Sequence, residues 1–77
     1  MLFLIWYDDS SKTPVVDKIQ AAMVAYVARF KMDPNLVLLN TVDRTEMADM
    51  LVRCERTVPP NTFWIGREEA IAIPGAL

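Results

Sequence analysis

Two uninterrupted apolar runs flank one long periodic segment in the first half of the chain. Leu2-Phe3-Leu4-Ile5-Trp6-Tyr7 is closed by Asp8-Asp9-Ser10-Ser11. That length and punctuation predict a strand buried on both faces and central in a sheet covered by helices. Leu36-Val37-Leu38-Leu39, ended by Asn40, predicts a second strand of the same kind. Between them, at roughly 100° per residue, Val15, Val16, Ile19, Ala22, Met23, Tyr26, Val27 and Phe30 fall on one broad face, with Asp17, Lys18, Gln20, Arg29 and Lys31 opposite. The spacing predicts a helix running to Lys31, with Thr13 as N-cap and Pro14 at its first position. Asp33-Pro34 ends it, because the residue before a proline is pushed away from helical geometry. Strand, helix, strand is a βαβ unit, for which parallel strands and a right-handed crossover are expected.

The polar face of that helix carries apolar positions of its own. Ala21, Val24, Ala25 and Ala28 lie within it at spacings of three and four. Alanine favours helix and tolerates water, which accounts for such residues without a partner. The sharper alternative is a helix-to-helix seam between two copies of the chain, formed by these four residues.

The second half is less regular. Asp43-Arg44-Thr45-Glu46 has the form of a capping box and predicts a short second helix with Met47, Met50 and Leu51 inward. From Val52 to Val58 an imperfect alternation is read as an edge-like third strand, although the periodicity leaves helix and strand both open over 51–58. Pro59-Pro60-Asn61 is a turn. Thr62-Phe63-Trp64-Ile65-Gly66 is then a strand of high β propensity, antiparallel to its predecessor because the link is short. The end of the chain, with 73–77 as a flexible tail, either docks on the sheet or reaches a neighbouring subunit. The whole is read as a single domain, 1–77: a small two-layer α/β sandwich in the order β1-α1-β2-α2-β3-β4, mostly parallel, with β1 central and an antiparallel last strand.

Composition narrows the functional classes. At 77 residues one core is only marginally sufficient. A hydrophobic fraction of 53% is more than so small an interior readily holds. Part of that surplus is expected on a surface that meets a partner, most simply a second copy in a homodimer. The net charge is −2 and the basic residues are scattered singly, which argues against a nucleic-acid surface. The first apolar run is far shorter than the roughly 20 residues of a spanning helix and lacks the marks of a signal peptide, so no membrane association is expected. The lone Cys54 forms no internal disulfide and fits a reducing, cytoplasmic setting.

The chemistry-bearing residues exclude more than they assign. With no His, the Ser-His-Asp and Cys-His arrangements cannot be written. With Gly66 and Gly75 the only glycines, neither a dinucleotide fingerprint nor a phosphate loop can be written either. An acidic pair behind a hydrophobic strand is similar to the opening of response-regulator receiver domains. The chain is too short for five βα units, and no later strand ends in a phosphate-accepting aspartate followed by the matching lysine.

A topological candidate remains. Ligands of open parallel sheets bind beyond the carboxyl ends of the strands, which here carry Asp8, Asp9, Asn40 and Asp43, with Arg44 beside them as an anion holder. Asp8 and Asp9 would be the carboxylates for a hard cation such as Mg²⁺. A turn at Asp8-Asp9 and a helix cap at Asp43 explain the same residues with no ligand at all.

The expectation is therefore a non-catalytic, cofactor-free interaction module. The competing one is a protein or minimal enzyme binding Mg²⁺ or a phosphorylated ligand at those strand ends.

Overall fold

The structure, a computed structural model, describes residues 2–68. The tail at 73–77 lies outside the described residues. In chain order the elements are β1 (Phe3–Tyr7), α1 (Val15–Phe30), β2 (Leu36–Leu39), a 3₁₀ turn (Thr41–Asp43), β3 (Leu51–Cys54) and β4 (Thr62–Gly66). Among the described residues one helix against one mixed four-stranded sheet makes a small α/β fold.

The sheet order is β1-β4-β2-β3. β4 is antiparallel to both β1 and β2, whereas β2 and β3 are parallel. The last strand is therefore antiparallel as expected, but the sheet as a whole is mostly antiparallel and β1 is an edge strand. β1 and β2 still run in the same direction, because β4 is inserted between them, and α1 crosses over that inserted strand. The centre belongs to β4, in which Thr62, Phe63, Ile65 and Gly66 are all buried. A continuous apolar run says that both faces of a strand tolerate hydrophobes; it does not say whether both of its edges are paired. In β1, Leu4 and Trp6 pack toward the core, while Ile5 is 58% and Tyr7 65% exposed on the other face.

The core is one face of the sheet against one face of α1. Ile19, Ala22 and Tyr26 meet Val37, Leu39, Phe63 and Ile65, with Val15, Met23, Phe30, Val52 and Cys54 around them. Burying an aliphatic or aromatic side chain of this size stabilises by about 2 kcal/mol, so Ile19, Phe63 and Ile65, each fully buried, are principal contributors. The amphipathic pattern placed these helix residues correctly. Two neighbours differ: Lys18, expected in solvent, is buried, and Val27, expected in the core, is 38% exposed.

Both ends of α1 differ slightly from expectation. Pro14 is the N-cap and makes no side-chain cap. Thr13 instead donates its hydroxyl to Ser10 Oγ at 3.2 Å, so its side chain closes the preceding turn. At the other end Lys31 adopts φ 59° and its N–H donates to the Val27 carbonyl, capping the last turn.

Among the described residues no second α-helix follows β2. The residues from Arg44 to Met50 are irregular, and Asp43 closes a 3₁₀ turn whose N-cap is Asn40. The capping-box reading fails because the Asp43 carboxylate is engaged by a distant backbone amide, as described below. The hydrophobic part of that expectation stands for two residues: Met50 is buried and Met47 packs on the core. Leu51, expected inward, is 42% exposed in β3. β3 is an edge strand four residues long, shorter than the 52–58 alternation suggested.

Candidate functional site

The carboxyl ends of β1 and β2 are brought to the same edge of the sheet, with the start of β4 between them. Asp8 donates its backbone N–H to the Asn61 carbonyl at 2.9 Å, extending the β1–β4 ladder by one step. The Asn61 N–H donates to Asp43 Oδ2 at 2.7 Å. Asn61, with φ 63°, thus ties the end of β1 to the turn after β2; asparagine tolerates this left-handed conformation better than most side chains.

Asp8, Asn40 and Asp43 each hold a backbone group. Asp8 Oδ1 accepts the Ser10 N–H at 2.9 Å, forming a turn. Asn40 Oδ1 accepts the Val42 N–H at 3.0 Å, and Asn40 Nδ2 donates to the Val58 carbonyl at 2.9 Å. Asp43 is buried with its carboxylate on Asn61. Asp9 is exposed and accepts from the Tyr7 hydroxyl at 3.3 Å. The Tyr7 pKa is raised above its ordinary value, first by the charge of Asp9, then by desolvation and then by the hydrogen bond to Asp9.

Arg44 lies apart from this cluster and lines a separate hollow of about 760 Å³ with Thr45, Glu46, Arg53 and Cys54. Among the described residues no group of three or more His, Cys, Asp or Glu is placed to hold a metal ion. Among them, too, no helix is long and apolar enough to cross a membrane.

The predicted seam lies on α1. Ala21, Val24 and Ala28 are exposed, Val24 at 71%, and Ala25 is half-buried. Beside them a groove of about 780 Å³ runs between the helix and the segment that follows it, walled by Met23, Val24, Val27, Ala28 and Pro34 and edged by Asp33 and Asp49. The groove depends on Pro34 and Asp49 folding back beside the helix, a contact without a sequence signal. The sheet face away from α1 also carries exposed Ile5, Tyr7 and Leu51, next to the ring pair Phe3–Trp64 at 5.7 Å. On the helix side, the indole Nε1 of Trp6 is buried without a hydrogen-bond acceptor among the described residues.

Compared with protein-family models, with curated proteins and with solved structures, the chain matches none of them.

Proposed function

We propose that the protein is a small, non-catalytic interaction module that associates with itself, in the simplest case as a homodimer. The observation that carries this reading is the exposure of Val24, 71%, in the middle of α1. A β-branched apolar residue gains nothing from water there. Its neighbours Ala21, Val27 and Ala28 are also exposed, and the adjoining groove is mainly apolar. Contiguous apolar surface of this kind, rimmed by polar residues, marks interaction sites.

The competing reading, Mg²⁺ or a phosphorylated ligand at the strand ends, has less support. Asp8, Asn40 and Asp43 already hold backbone groups, and releasing them to a ligand would leave those groups unsatisfied. The absence of His also removes the commonest general base. The free Cys54 suits a reducing compartment such as the cytoplasm.

The test is light scattering coupled to size exclusion over a dilution series, with and without Mg²⁺. A dimer that is unaffected by Mg²⁺ and broken by Val24→Glu is expected. A monomer at every concentration overturns the reading, and so does assembly that requires Mg²⁺.

A further inference from the structure

On the side of α1 turned away from the sheet, Asp17, Ala21, Val24, Ala28 and Lys31 follow one another at alternating spacings of four and three. All five are exposed. At 100° per residue the helical positions Asp17, Ala21, Val24 and Ala28 occupy an arc of roughly 60°, opposite Ile19, Ala22 and Tyr26 in the core, and Lys31 follows as the C-cap at the end of the last turn. The two charges are placed symmetrically about Val24, whereas Ala21 lies three residues before it and Ala28 four after. Asp17 stands seven residues before Val24 and Lys31 seven after it. At 1.5 Å per residue each charge is about 10 Å along the axis from Val24, and the two charges have opposite signs.

We propose that this face is an antiparallel seam for a second copy of the chain, with Val24 at the two-fold axis. The inference rests on the self-association proposed above and adds to it the surface, the orientation and the means of selecting that orientation. In the antiparallel crossing Asp17 meets the partner's Lys31, and Lys31 meets the partner's Asp17. Ala21 falls level with the partner's Val27 and Ala28 level with the partner's Gln20, on either side of a central valine pair, and the two alanines let the axes approach to about 8 Å, the short end of helix packing distances. The two helix dipoles oppose each other favourably. In a parallel crossing Asp17 would meet its own copy, as would Lys31, so the same charges penalise the alternative.

The occupant follows from that symmetry. A two-fold contact requires a surface that complements itself, and here acidic Asp17 maps onto basic Lys31, Val24 onto itself and Ala21 onto Val27. Val27 and Gln20 extend the seam toward the groove, where Met23 and Pro34 widen the apolar contact. An unrelated apolar peptide would have no need of the symmetric charge placement.

The experiment uses the full chain in a sedimentation-equilibrium dilution series, with wild type, Asp17→Lys, Lys31→Asp, the double reversal and Val24→Glu. Helical circular dichroism of each variant reports folding. A single reversal turns two attractive contacts into two repulsive ones and is expected to raise the dimer dissociation constant about tenfold at low salt. The double reversal restores wild-type affinity although it opposes the helix dipole at both ends. The differences shrink at about 1 M salt.

A wild type that stays monomeric refutes both self-association and the seam. A dimer indifferent to the reversals and to Val24→Glu, but dissociated by Ile5→Glu, overturns the seam and leaves self-association standing on the sheet face. Failure of the folded double variant to recover also overturns the antiparallel register.

Discussion

The backbone N–H of Asn61 donates to Asp43 Oδ2 at 2.7 Å, across 18 residues of sequence. One carboxylate thereby joins the turn that leaves β2 to the turn that begins β4, the central strand. The same asparagine accepts from Asp8, so three chain segments meet at one residue.

Removing that carboxylate should therefore cost stability rather than a ligand. Asp43→Ala leaves the Asn61 amide without its partner in a half-buried position, and an urea melt should show a loss of about 1–3 kcal/mol. Asp43→Asn, which keeps an oxygen acceptor, should lose less. Asp9→Asn changes an exposed group and should stay within about 0.5 kcal/mol of wild type. Equal stability of wild type and Asp43→Ala would remove the structural role assigned to this residue.

Asp43 also shows why part of the fold was legible in the residues and part was not. Signals within one element read correctly: the α1 core positions Ile19, Ala22 and Tyr26, and the apolar runs of β1, β2 and β4. Signals that depend on a distant partner did not. The capping box at Asp43 is a local preference worth about 1 kcal/mol, and the contact with Asn61 displaces it. Strand order was equally hidden. Leu2 to Tyr7 and Thr62 to Gly66 are both apolar runs, and nothing within either says that the second lies between β1 and β2. The parallel relation of β1 and β2 followed from α1 alone, and it survives the insertion of β4.

The pairing of Phe3 with Gly66 supplies a sharper check on that sheet order. The two residues face each other across β1 and β4. A Cβ built on Gly66 would lie 2.7 Å from the Phe3 ring, so the glycine makes room for the aromatic side chain. Gly66→Ala should cost about 1–3 kcal/mol through this overpacking. Phe3→Leu alone should cost less than the glycine change, and the double variant should recover part of the loss as a coupling energy between neighbours. Strict additivity in the cycle would contradict the close contact and, with it, the register of β1 on β4.

Tyr7, next to the end of β1, gives a prediction about charge. The Asp9 carboxylate accepts from its hydroxyl at 3.3 Å and raises the phenol above its ordinary pKa of 10.0, chiefly by the repulsion it would exert on a phenolate. A raised folded pKa means that the contribution to stability is fully present below the ordinary tyrosine value, and is lost as pH rises from there through the folded value. Ultraviolet titration of wild type minus Tyr7→Phe isolates this residue from Tyr26. Its midpoint should lie above that of a free tyrosine, and Asp9→Asn should bring it down. An unchanged midpoint in Asp9→Asn would assign the shift to burial instead, against the 65% exposure of the side chain.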